Sequence, residues 1–472
     1  MNTHLTRRRR IRAGVRRRGR AARAAGTAAL ALLLPALAAA GQSPRRLGVD
    51  DAVALARQHN EQLLIAREDA ARARGAVREA WAGALPQVTL QGTYQGNFTK
   101  PAFFAPEEFG GGKVEMGSDI EVNGALRLDQ VLYAFGRVGN AIDFAKIYEA
   151  AAAEGVALAR GEVTFAAREA YYRVLLLARV AVIRRQSLDQ ARSHLERAEA
   201  MHAQGLLSDF ELLRARVEVK NREPVLIAAE NDAALARQDL QRVLGIDGEP
   251  APVLTDSLAF RPFAVTEAEA LAEAYASRPE LRGLELGITG REKVLAIEKA
   301  GRLPILGFFG QVALQGAADG DKPLDPFTAD HRAVSTSAGI SLSLPLFDGF
   351  RTRGKVQQAS AQLRRAEFEL SQARKGVRLE VTKALQDLAS LAREHEAQRA
   401  TVDLAAEAYR IAETRYASGL STQLELGDAE TELDFARTLH AETLYRYNVA
   451  LAALERALGR DARAAADPSA EE

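Results

Sequence analysis

Glu425 and Asp428 stand three residues apart in a stretch dense in helix formers, so a helix puts both carboxylates on one face. Crowded carboxylates make a negative potential that draws cations. Glu425 also follows Thr422 by three residues, the spacing of a capping box, which gives its carboxylate a competing use at a helix start. Other chemistry is sparse. His59, His194, His202, His331, His395 and His440 include no pair at the i, i+4 spacing of a helical metal site and read as surface helix residues. Gly110-Gly111-Gly112-Lys113 lacks the leading Gly and the trailing Ser or Thr of a phosphate loop. Asp319-Gly320-Asp321 reads as an exposed turn with weak cation affinity at most. No nucleophile stands with a base, so the sequence predicts no enzyme, no cofactor and no metal centre.

The elements that position Glu425 and Asp428 occur twice. Gly205-Leu206-Leu207-Ser208-Asp209-Phe210-Glu211-Leu212 returns as Gly419-Leu420-Ser421-Thr422-Gln423-Leu424-Glu425-Leu426, and Leu240 to Gly245 returns as Leu454 to Gly459. Both pairs keep a spacing of about 214 residues, as two copies of one rigid unit would. Residues 41–245 and 264–459 form the two repeats, joined by a linker at 246–263. The first repeat has a helical segment at 51–85, a strand pair at 87–132, a long helix at 136–204 and a returning helix at 208–244. Its counterpart has 267–303, 305–346, 350–418 and 422–458, and residues 460–472 read as a flexible tail.

The long stretches lack Pro and are rich in Ala, Glu, Arg, Leu and Gln, so each predicts a helix on the order of 100 Å. The two shorter helical segments of a repeat, stacked end to end, match one long helix in length. Leu363, Leu370, Val377, Ala384 and Leu391 recur every seven residues, as do Val156, Val163, Ala170 and Leu177, the spacing of a coiled-coil seam. An ordinary helical bundle core gives the same short runs. Gly205 and Gly419 fit helix reversals, because Gly tolerates the left-handed conformation of a helix end. Ser208 to Glu211 and Thr422 to Glu425 both read as capping boxes.

Residues 1–23 carry ten Arg and no acid, and an apolar stretch follows that ends in Ala38-Ala39-Ala40-Gly41. That order predicts an export signal over 1–40, with a start nearer Val15 as an alternative. Its removal takes away those ten charges and turns the net charge of +1 into about −9, which disfavours a nucleic-acid partner. The absence of Cys excludes disulfides and a lipid-bearing cysteine anchor. No window after the signal offers 18 consecutive apolar residues, so membrane entry has to use strands.

The strand pairs alternate. Val88, Leu90, Gly92, Tyr94 and Gly96 interleave with Gln87, Thr89, Gln91, Thr93 and Gln95, and the period of two recurs over 120–129 and 334–344, with Leu306, Phe308, Val312 and Leu314 marking the fourth strand. Such alternation marks a transmembrane barrel, and a soluble sheet with one wet face shows it too. The connections at 99–118 and 316–333, rich in Pro, Gly, Asp and aromatic residues, suit long outward loops. Four strands cannot close a barrel, since the smallest have about eight, and open edges cannot face lipid. Several chains must then share one barrel, and three would supply twelve strands.

Together these features resemble the TolC-like outer-membrane efflux family. Leu47-Gly48-Val49-Asp50-Asp51-Ala52-Val53-Ala54-Leu55-Ala56 with Asn60 is similar to the family's first helix, Leu85-Pro86 and Leu303-Pro304 to its helix-to-strand turns, and Leu344-Pro345-Leu346-Phe347-Asp348-Gly349 to its strand-to-helix turn. The resemblance implies a mainly α fold with transmembrane β: a homotrimer with a long α-helical coiled-coil barrel in the periplasm and a shared twelve-stranded β-barrel in outer-membrane lipid. It implies an exit duct that docks a periplasmic adaptor protein and an inner-membrane transporter at hairpin tips built on Gly205, Leu206, Ser208, Gly419, Leu420 and Thr422. Asp428 and Glu425 fall where the family has an acidic ring at the periplasmic mouth, and Tyr416 where it has a gate-side tyrosine. Ser421 replaces the Arg expected to tie that mouth closed. A periplasmic adaptor, which has a helical hairpin beside compact β domains, and a soluble coiled-coil scaffold are the competing plans.

Overall fold

The computed structural model describes residues 45–247, 250–320, 328 and 332–463. The expected export signal, Asp321, His331 and residues 464–472 lie outside the described residues. The first repeat comprises β1 (Arg46–Leu47), α1 (Val49–His59), α2 (Glu61–Ala82), β2 (Gln87–Gly96), β3 (Ala102–Ala105), β4 (Gly112–Glu115), β5 (Ile120–Tyr133), α3 (Arg137–Ala203) and α4 (Asp209–Leu244). Then come β6 (Val253–Leu254) in the connection, α5 (Glu267–Ser277), α6 (Pro279–Ala300), β7 (Ile305–Ala318), β8 (Arg332–Ser343), α7 (Arg351–Ala417), α8 (Gln423–Leu458) and α9 (Arg460–Arg463).

Helices α3 and α7 have 67 residues each, a length of about 100 Å. In each repeat the returning helix and the shorter pair lie along the long one, and α6 packs against both α3 and α7. The seven-residue seam faces the core: Val163, Ala170, Val377 and Leu391 are buried, and Val156, Leu177, Leu370 and Ala384 pack against them. Full burial of a leucine such as Leu244 or Leu458 contributes about 1.5–3 kcal/mol.

The single helical segments expected at 51–85 and 267–303 are each broken once, and the reason is tertiary. Asn60 leaves helical geometry, caps α2 by accepting the Gln62 N–H at 2.9 Å, and donates to the Val243 carbonyl at the end of α4 at 2.9 Å. At the matching place Arg278 precedes Pro279, which disfavours helical geometry, and its Nε donates to the Ala457 carbonyl at the end of α8. Each break therefore satisfies a carbonyl that a helix end leaves without a partner. The end-to-end stack closes on a glycine. Gly245 and Gly459 are left-handed, and a Cβ on Gly245 would lie 2.6 Å from the His59 carbonyl oxygen. On Gly459 it would lie 3.0 Å from the Ser277 carbonyl carbon.

Strands β2, β5, β7 and β8 form one antiparallel sheet in that order. Its register collects the apolar sets on one face: Val88 opposes Leu128, Leu126 opposes Val312, and Leu314 opposes Val334. The other face carries Thr89, Gln91, Thr93, Gln311, Ser335 and Ser337. Leu90, Leu342 and Val334 are 80%, 70% and 65% exposed, so most of the apolar face is uncovered within one chain, Val122 and Ala318 at its far end being buried. Among the described residues β2 and β8 each have an edge without a strand partner. Tyr133, Phe135, Phe347 and Phe350 lie exposed at the strand-to-helix junctions. Among the described residues no helix is long and apolar enough to cross a membrane.

The linker at 246–263 is packed, with β6 parallel to β1, and Phe260 stacked on His395 and tilted against Tyr447. Two further expectations need correction. The tail expected to be flexible from 460 begins with the helical turn α9, where buried Asp461 meets Arg57 and Arg168. The histidines are not all on the surface: His194 is 7% exposed, and His395 and His440 stack at 5.2 Å, brought together from α7 and α8.

Candidate functional site

The two helix reversals lie at one end of the long helices. At the first, Gly205 is left-handed at φ 75° and the Leu206 N–H bonds to the Met201 carbonyl at 3.0 Å, which closes the end of α3. Ser208 starts α4 with a full capping box, its hydroxyl accepting from the Glu211 N–H and its own N–H donating to the Glu211 carboxylate. His202 and Asp209 meet across the turn at 2.8 Å. The second reversal repeats this with Gly419 at φ 72°, Leu420 N–H on the Arg415 carbonyl, and Thr422 accepting from Glu425 N–H at 3.3 Å. Leu206 and Leu420 are both exposed at the extremities.

The capping box expected at Thr422 is only half made: the Glu425 carboxylate does not return to the Thr422 N–H. Its charge is left facing outward. Glu425 and Asp428 are both exposed on the first turns of α8, and Asp428 borders a cleft of about 120 Å³ between the hairpins, with Arg214, Glu218, Arg222 and Glu430. Asp319, a weak cation ligand at most by sequence, instead receives the Lys100 ammonium at 2.7 Å, which Asp119 shares at 3.1 Å.

The cleft is tied shut on one side by a link that sequence reasoning missed. Arg222 of α4 donates through two nitrogens to the Glu430 carboxylate of α8, at 2.5 and 3.0 Å, and also to Glu218 and Ser187. Glu430 is 2% exposed. Burial pushes its carboxyl above the usual range, and the Arg222 guanidinium opposes that shift. Nearby, His194 accepts from Arg197 at 2.9 Å and meets the ring of Tyr416 edge-on at 6.4 Å. Burial, then the charges of Arg197 and Arg222, lower its pKa to about 4, so the ring stays neutral. Tyr416 is thus placed between hairpins, its hydroxyl pKa raised by burial. Ser421 buries its hydroxyl without a hydrogen bond. A signal for the missed link existed: Arg222 interrupts the apolar stripe Ala215, Val219, Leu226, Ala229, and Glu430 interrupts Leu426 and Leu433.

Among the described residues no group of three or more His, Cys, Asp or Glu could hold a metal ion, in this arrangement or elsewhere. What it presents is two hairpins pinned to each other, with apolar tips and outward carboxylates.

Comparison with known proteins gives the same frame. A model of the outer membrane efflux protein family matches residues 52–246 and 270–460, one match per repeat. Protein CyaE of Bordetella pertussis is 27% identical over 263 residues, 54% of this chain and 54% of that protein. The chain thus spans about half the length of that relative. Outer membrane protein OprJ of Pseudomonas aeruginosa is 26% identical over 366 residues, 74% of this chain and 72% of that protein. The Campylobacter jejuni CmeC outer membrane channel superposes with a TM-score of 0.74 at 16% identity, covering 87% of this chain and 85% of that one, which shows a shared fold. With both repeats matched, the chain belongs to the outer membrane efflux protein family, TolC-like proteins of the Gram-negative outer membrane that reach across the periplasm.

Proposed function

We propose that the chain is the passive exit duct of a tripartite export system, with three copies sharing one twelve-stranded barrel. The observation that carries this is the four-stranded sheet with a mostly uncovered apolar face and, among the described residues, edges without a strand partner at β2 and β8. Edges of that kind cannot face lipid, and pairing β2 of one copy with β8 of the next removes them. The exposed aromatic residues at the strand-to-helix junctions suit the membrane interface. The hairpin tips, built on Gly205, Leu206, Ser208, Gly419, Leu420 and Thr422, then point away from the membrane to receive a periplasmic adaptor and an inner-membrane transporter. The transported substrate and the energy source belong to those partners.

In this reading three copies of Asp428, with Glu425, surround the periplasmic mouth as an acidic ring, and low-dielectric walls focus their potential on passing cations. Tyr416 stands beside the gate, and the Arg222–Glu430 link holds the second hairpin against the first in place of the latch that Ser421 cannot make. Detergent-corrected light scattering and single-channel current in a lipid bilayer test the proposal. A trimer that conducts is expected. A monomer with intact β signal, or a trimer without current in any state, overturns it.

A further inference from the structure

Each repeat carries one packing slot beside its first helix, and the described chain fills only one. In the first repeat β6 lies parallel to β1, with Val253 N–H on the Arg45 carbonyl at 2.9 Å and Thr255 N–H on the Leu47 carbonyl at 3.0 Å. Leu254 packs into the core around Leu47 and Tyr171, and the Tyr171 hydroxyl donates to Asp256 at 2.9 Å. Helices α1 and α5 have 11 residues each, and α3 and α7 have 67, so positions correspond directly. Val265 stands for Leu47, Leu385 for Tyr171 and Leu388 for Val174.

No described strand lies beside Val265. In its place is an open groove of about 560 Å³, lined by Phe263, Val265, Leu385, Leu388, Ala392 and Tyr447. The backbone groups of Ala264 and Val265 make no hydrogen bond to a described residue. The cause is the exit from α8. The chain leaving Gly245 turns back along α1 to become β6, whereas the chain leaving Gly459 enters α9, which Asp461 ties to Arg57 and Arg168 of the first repeat. Residues 464–472 read Ala-Ala-Ala-Asp-Pro-Ser-Ala-Glu-Glu, with no apolar side chain of leucine size. They also carry three acids, whereas Glu267 and Glu269 border the groove and no Lys or Arg is among its described lining.

We propose that the groove receives an extended strand of a partner polypeptide, added parallel to residues 263–266 as β6 is added to β1. The strand places a leucine-sized side chain against Leu385 and Leu388, with a basic residue next to it facing Glu267 and Glu269. Backbone pairing gives such a contact affinity and the alternate side chains give it specificity. Leu385 in place of Tyr171 explains why an acid at the Asp256 position would not be held here.

The probe is a fluorescein-labelled peptide of residues 250–257 carrying Asp256→Lys, titrated by polarisation against the full purified chain in detergent. Saturable binding is expected. It should weaken at least tenfold for Ala392→Trp and for Leu385→Lys, each with unchanged circular dichroism and light scattering, and for a peptide carrying Leu254→Asp. No saturable binding, or binding unchanged in both groove variants, overturns the proposal. A chain ending at residue 463 provides the remaining arm: binding that appears only after this truncation makes residues 464–472 the occupant and sinks the partner assignment. Channel current is not read in any arm, so failure here leaves the export reading untouched.

Discussion

Removing the cation from the Arg222–Glu430 pair tests what holds the two hairpins together. Arg222→Met preserves most of the side-chain length but leaves the Glu430 carboxylate, 2% exposed, without either of its guanidinium bonds. Breaking a buried pair from one side costs about 3–5 kcal/mol, because a desolvated charge is left alone. The variant should lose less in mild acid. The Glu430 carboxyl already has a raised pKa from burial, so in the variant the folded state takes up a proton before the unfolded chain does. Stability that depends on the neutral form is present below the unfolded pKa and lost as pH rises through the folded one. Adding Glu430→Met removes the stranded charge, and the double variant should return to within about 1 kcal/mol of the parent. Hydrogen exchange of residues 423–434 reads the local opening, where about 3–5 kcal/mol corresponds to exchange faster by roughly two to three and a half orders of magnitude. A double variant in which the two single costs simply add, with coupling below about 0.5 kcal/mol, would refute the link as a joint device.

Three other outcomes are expected. Gly245→Ala must adopt φ 67° and places a methyl 2.6 Å from a backbone oxygen, so it should destabilise by well over the cost of a left-handed residue, about 1–2 kcal/mol. Gly205→Ala, at φ 75° with open space around it, should lose only that cost, and equal losses by thermal unfolding would contradict the end-to-end joint. For His194 the folded pKa is depressed to about 4, so stability is complete above the unfolded value near 6.5 and falls by about 3 kcal/mol towards pH 4; His194→Phe should flatten that part of the curve in denaturant titrations. Replacing Glu425 and Asp428 together by Ala should weaken cation preference and block by a trivalent cation in single-channel recordings, and unchanged selectivity would end the acidic-ring assignment.

The parts of the fold legible in the sequence are those set by local rules repeated along the chain. Period-two alternation marks strands whose apolar sets do share one face, and Gly205 and Gly419 mark reversals because only the left-handed conformation fits there. The breaks at Asn60 and Arg278 were not legible, since each depends on a carbonyl at the end of a helix about 180 residues away. The pairing of His395 and His440 is invisible to helical spacing for the same reason: they come from two helices. At the candidate site, the turn residues could be read but the Arg222–Glu430 link could not be paired, although both charges stand out on apolar stripes.

What distinguishes the hairpins is where the second copy departs from the first. The counterpart of Arg222 is Ala436 and that of Glu430 is Arg216, so the link can form only between unlike repeats and never within a symmetric pair. The counterpart of Glu425 is Glu211, yet Glu211 bonds back to Ser208 while Glu425 does not return to Thr422. The counterpart of Asp428 is Arg214, which offsets the neighbouring Glu211 charge in the first copy. Negative charge without a basic neighbour on the same helix therefore accumulates on the first turns of α8 alone, on the hairpin that the buried Arg222–Glu430 pair restrains. Duplication supplies two equivalent rods, and a few unlike side chains make one of them the charged and tethered one.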